Sequence, residues 1–162
     1  MRKINKIIIL SIITAFMFTT CNYYFTGDDV ETEKIVALAS NNKDVELISN
    51  EDIELIALVT MAEAEGECEE GKRLVIDTIL NRVDSKYFPN TIYDVVYQPK
   101  HFSSMWNGRI DRCKVREDIC QLVREELESR TNYDVMFFTA GHYSKYGIPL
   151  FQVENHYFSK YD

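Results

Sequence analysis

Ala57-Leu-Val-Thr-Met-Ala-Glu-Ala-Glu-Gly-Glu67 is an apolar helical stretch that ends in a glutamate just before a glycine. Ile53, Leu55, Ile56, Ala57, Leu58, Val59, Met61 and Ala62 leave it almost no polar face, so protein must sheathe it on most sides. Ser49 or Asn50 can cap its start, Asp52 completes a Ser-x-x-Asp box, and Gly66 is its stop, which sets a helix over about 50 to 64. Glu63 then lies at the negative end of a buried helix, among Glu65, Glu67, Glu69 and Glu70, where a carboxyl is expected to be harder to ionise. A general acid needs that property. An acidic surface loop or a cation-binding loop fits the same composition, because charge runs are usually solvated.

The 162 residues, 46% hydrophobic and 12% aromatic, suffice for one core. Basic residues at 1–6 and an apolar run from Ile7 to Thr19 have the layout of a secretory leader, so export is expected. Cys21 follows directly, offering a lipid-anchored alternative to ordinary cleavage or an uncleaved membrane tether. The expected divisions are 1–21 as leader or anchor, 22–44 as linker and 45–162 as a folded domain, monomeric. Beyond Cys21 the balance of Lys and Arg against Asp and Glu is −11, which excludes nucleic acid as a partner and leaves polysaccharide binding to aromatic faces and hydrogen bonds.

Cysteines at 21, 68, 113 and 120 have no metal-ligand spacing, and neither a metal nor a cofactor is expected. On one helix Cys113 and Cys120 would lie about 10 Å apart, too far to bridge, so thiols are the default, with Cys68 able to pair with either.

A second helix is expected over 69–85, where Leu74, Val75, Ile79, Leu80 and Val83 recur at helical spacing. A short helix follows over 92–96, capped by Thr91 or Asn90. Residues 98–108 read as a loop, with Phe102 and Trp106 either stacking on sugar or closing the core. A long amphipathic helix is expected over 114–129, with Val115, Ile119, Leu122, Val123 and Leu127 inward. Residues 133–139 and 150–153 read as extended, forming a small β-hairpin or flap, and His101, His142 and His156 are too scattered to suggest ligands.

Taken in order, Ala62-Glu-Ala-Glu-Gly-Glu67, Ile79-Leu-Asn-Arg-Val83, Tyr87-Phe-Pro-Asn-Thr-Ile92, Val95-Val-Tyr-Gln-Pro99, Phe102-Ser103 and Asn155-His-Tyr-Phe158 resemble the spore-cortex-lytic, SleB/CwlJ-type cell wall hydrolases. The resemblance spans about 51 to 162. It implies an α+β, lysozyme-like fold, mostly helical with a small β element, and activity on peptidoglycan glycan strands, chiefly as a lytic transglycosylase. It also makes Glu63 the catalytic acid. Glu67, Tyr97, Gln98, Phe102, Ser103 and Asn155 are the candidates for the substrate-binding wall. Two departures stand out, Glu65 where the family usually has arginine and Cys68 where it has a small residue or proline. A hydrolase with a second carboxylate, and a non-catalytic glycan-binding lipoprotein, are the competing readings.

Overall fold

The structure is a computed structural model that describes residues 48–162. The expected leader, Cys21 and the linker lie outside the described residues. Helix α1 spans Asn50–Ala64, and Ser49 caps it through the expected box: the Asp52 amide donates to Ser49 Oγ at 3.1 Å and the Ser49 amide to Asp52 Oδ2 at 3.3 Å. Helix α2 spans Glu69–Asp84 and α3 Ile92–Val96, with Thr91 as cap. Short 3₁₀ turns at Ser103–Met105 and Ile110–Arg112 lead to α4, Glu117–Glu128.

Helix α4 begins three residues later than the periodicity suggests. Arg116 is its extended N-cap, and Val115 is 43% exposed instead of inward. The dipole explains this boundary: Lys114 and Arg116 are disfavoured inside a first turn, whereas Glu117 and Asp118 are favoured there.

As the sequence suggests, α1 is the centre of the core. Ile53, Ile56, Ala57, Val59 and Met61 pack with Ile76, Ile79 and Leu80 of α2, Val95 and Val96 of α3, Phe102, and Ile119 and Val123 of α4. The β element is larger than a hairpin. Strands β1 (Phe137–Ala140), β2 (Ile148–Val153) and β3 (His156–Lys160) form an antiparallel sheet in the order β1-β3-β2, so the chain's last segment is its central strand. Phe158 of β3 is fully buried and clusters with Leu74 and Val135, which fastens the sheet to α2. Gly147, at φ +78, lets the chain enter β2 where a Cβ would meet the Lys160 carbonyl at 2.1 Å. Cys68, Cys113 and Cys120 are free thiols. Among the described residues no helix is long and apolar enough to cross a membrane.

Candidate active site

Glu63 occupies the last turn of α1, half-buried, where the Ser104 amide donates to its Oε1 at 3.1 Å. That donor is placed by the 3₁₀ turn, which the fully buried Phe102 anchors in the core. Among the described residues Oε2 of Glu63 has no protein donor.

Glu67 is treated differently. Both of its oxygens accept from Asn155, Oε2 from the backbone amide and Oε1 from Nδ2, each at 3.2 Å. Glu154, next to Asn155, accepts from the Cys68 amide. The β2–β3 turn is thereby clamped to the junction between α1 and α2. Gly71 makes room for this clamp, since a Cβ there would lie 3.0 Å from Glu67 Cβ.

Arg82 and His156 complete the surroundings of Glu63. Arg82 is buried, donates from Nε to the Met136 carbonyl at 2.8 Å, and lies 5.0 Å from the Phe102 ring centroid and 5.2 Å from that of Phe88. Burial pushes its guanidinium down to about 10, against the pull of the Glu63 carboxylate, so it remains cationic at neutral pH. His156 opens β3 and is buried against Phe138 and Phe158. Burial lowers its pKa while Glu67 and Glu63 oppose, and its Nδ1 has no hydrogen-bond partner. Gln98 Oε1 and Ser104 Oγ are likewise buried and unpartnered. Asp77 Oδ1 and Ser159 Oγ, away from Glu63, are unpartnered as well, so these atoms are open to a ligand here without by themselves marking the site.

Of the expected site residues, the structure joins Glu63 to the 103–104 turn, and Glu67 to Asn155. Ser103 opens that turn, exposed, its carbonyl accepting from the amides of Trp106 and Asn107. Gln98 lines a groove with Tyr87, Tyr146 and Tyr161. Tyr97 is 38% exposed and packs against Tyr93 with ring centroids 4.4 Å apart and planes tilted by 31°, outside the Glu63 cluster. Phe102 must be corrected: with no exposed surface it is core and cannot offer a face to sugar. Trp106, 60% exposed beside the same turn, is free to do so.

Sequence reasoning missed Arg82, Ser104 and His156. Arg82 had left a trace, since it falls three residues after Ile79 on the buried stripe of α2, where a charge is out of place. Among the described residues no group of three His, Cys, Asp or Glu side chains could hold a metal ion.

The cell wall hydrolase family model matches residues 66–159, beginning three residues after Glu63. Over 62 residues the chain is 40% identical to the spore cortex-lytic enzymes of Bacillus subtilis and Oceanobacillus iheyensis, a stretch covering 38% of this chain and 20% and 22% of theirs. The matched stretch is thus about a fifth of these curated relatives' length. The catalytic domain of the Bacillus cereus SleB protein superposes with a TM-score of 0.62 at 27% identity, covering 69% of this chain and 91% of that domain. The catalytic domain of the germination-specific lytic transglycosylase SleB from Bacillus anthracis gives 0.62 at 26% identity, covering 71% and 98%. With more than half of its length matched by the family model, and with this helix-plus-sheet architecture, the chain belongs to the cell wall hydrolase family.

Proposed function

We propose that the protein is an exported lytic transglycosylase that cleaves the bond between N-acetylmuramic acid and N-acetylglucosamine in peptidoglycan, with Glu63 as its single proton carrier. Glu63 in its acid form protonates the bridging oxygen, and the bond to C1 of the muramoyl sugar breaks with oxocarbenium character at C1. The carboxylate left behind takes the proton of the C6 hydroxyl as that oxygen closes onto C1. The products are a 1,6-anhydro end and a free hydroxyl on the departing sugar; Glu63 regains its proton and no water is consumed. The Ser104 amide fixes one oxygen of the carboxyl, which suits a group that must give and take one proton at the other.

The observation that carries the single-acid reading is the state of Glu67. A muramidase needs a partner carboxylate; Glu67, four residues on, is 9% exposed with both oxygens committed to Asn155, and Glu65, two residues on, is exposed and lies 3.9 Å from Arg109. Glu67 and Asn155 are therefore read as holding the site together, and Ser103, Gln98 and Trp106 as its contacts with the strand. The identities with spore cortex-lytic enzymes support peptidoglycan as substrate, and the basic, apolar N-terminal run supports export, with Cys21 or that run as the tether.

Mass spectrometry of the soluble fragments released from purified peptidoglycan tests this proposal. Anhydro-muropeptides are expected from the wild type and not from Glu63→Gln. Reducing ends that depend on Glu63 would indicate a hydrolase, and no products from either chain would favour a glycan-binding protein.

A further inference from the structure

Beside the Glu63 cluster lies a cavity of about 400 Å³ whose walls include Arg82, Lys100, His101, His142, Lys145 and Tyr146 and no aspartate or glutamate. In a chain of net charge −8, such a concentration of cations without a carboxylate needs a reason. Arg73, Arg109, Arg116, Arg124 and Arg130 each have a carboxylate within ion-pair distance. Among the described residues Arg82 has none, and neither has Arg112 or any lysine; what sets the cavity apart is that it gathers Arg82, Lys100 and Lys145 with no carboxylate in its wall. The case of Arg82 is the sharpest, because a buried guanidinium with no carboxylate in direct contact is costly. Its Nε is committed to Met136, its Nη1 only approaches His101 Nδ1 at 3.5 Å, and its Nη2 has no protein acceptor.

Two further features suit a ligand clamp. Lys100 is held at φ +70, a left-handed conformation uncommon outside glycine that tends to persist where function requires it. Lys145 Nζ lies 4.9 Å from the Tyr146 ring centroid, so the ring restrains the ammonium at the rim. Glu63 is not itself a wall of the cavity. It is tied to it by the charge it exerts on Arg82, and by the turn that runs from His101 to Ser104.

We propose that this cavity, floored by Arg82 and rimmed by Lys100 and Lys145, is a carboxylate-binding subsite that takes the acidic group hung from the muramoyl sugar. The inference rests on the peptidoglycan reading above. On such a strand the anions are carboxylates, either the lactyl group of a bare muramoyl residue or the acidic groups of its stem peptide. A planar guanidinium end with two mobile ammonium groups matches either. Holding that group fixes the muramoyl ring relative to Glu63, and gives an otherwise acidic protein a grip on an anionic polymer.

Calorimetric titration of the Glu63→Gln chain with soluble, uncrosslinked glycan fragments tests this without cleavage. Stem-bearing and bare fragments are compared, each with free carboxylates and with carboxylates capped as methylamides. Capping is expected to weaken binding about tenfold, and the Lys100→Gln/Lys145→Gln double variant, with an unchanged melting temperature, to lose most of that difference. A difference seen with bare fragments assigns the lactyl group, and one confined to stem-bearing fragments assigns the stem. Equal binding of capped and free fragments, or a double variant that still discriminates, would overturn the proposal. A wild type that releases no anhydro ends while the difference persists would count against the cleavage reading alone.

Discussion

Two carboxyl clusters flank helix α2, and they are built in opposite ways. Near its middle, Asp77 and Glu126 are buried: Glu126 accepts from Arg73 at 2.8 Å and from the Thr131 amide at 2.6 Å, and Asp77 accepts from the Asn132 amide at 2.7 Å through Oδ2, while no donor reaches its Oδ1. Burial, and then its hydrogen bond to Glu126, push the Asp77 carboxyl up to about 8, while Arg73 holds Glu126 below the usual carboxylate range despite burial. The pair keeps one proton between two acids. At the end of α1, by contrast, Glu63 is half-buried with a single protein donor. Full burial with both oxygens engaged sets Glu126 apart from Glu63, which is half-buried with one oxygen left open to a ligand.

Exchanging one residue in each cluster breaks this contrast most directly. Glu63→Gln is expected to lower the rate of glycan cleavage by a factor of about 10²–10⁴ or more, with thermal unfolding unchanged. Glu126→Ala should do the reverse. It strands the Thr131 amide and the Asp77 proton and leaves Arg73 only its more exposed partners Glu69 and Glu125, and a loss of about 3 kcal/mol by urea denaturation is expected, with the activity of the folded fraction retained. Asn155→Ala lies between these cases. Removing one donor to Glu67 should cost about 2 kcal/mol and also lower activity, because the clamp joins the sheet to the end of α1.

The same contrast has a pH signature. The folded chain holds the Asp77 proton to about pH 8, whereas the unfolded chain releases it near the ordinary aspartate value of about 4. Between these values the folded state binds more protons, so this group's contribution to stability falls as pH rises through the window and levels off above it. Melting temperatures measured across that range should show this decline, and Asp77→Asn should flatten it. The smallest expected effect is that of Trp106→Ala: its exposed ring should contribute less than about 0.5 kcal/mol to stability, while its loss raises KM for glycan strands.

The difference between the clusters also explains what the sequence could convey. Helices α1, α2 and α3 were legible to within a residue because their signals are local: the Ser49 box, the Thr91 cap and the apolar spacing of Leu74, Ile79 and Leu80. Glu63 stood out as a candidate because a charge at the end of an apolar helix is conspicuous. Strand β3 was not, because Glu154-Asn155 lacks the glycine that usually signals a two-residue hairpin turn, and because its pairing with Phe137–Ala140, some twenty positions earlier, is written in no local pattern. His156 was missed with it. Asp77 and Glu126 lie 49 positions apart on two helices, so each reads alone as an ordinary polar residue. Phe102 and Trp106, four apart in one loop, show the remaining ambiguity: aromatic residue type alone does not tell a core anchor from an exposed face.

The central claim, that one glutamate carries the proton both ways and the muramoyl C6 oxygen captures C1, is tested most directly by running the reaction in water labelled with heavy oxygen. Mass spectrometry of the wild-type products should show anhydro-muramoyl ends free of label. Label at C1 of a reducing muramoyl end would mean that water, activated by a second group, is the nucleophile, and would contradict the account.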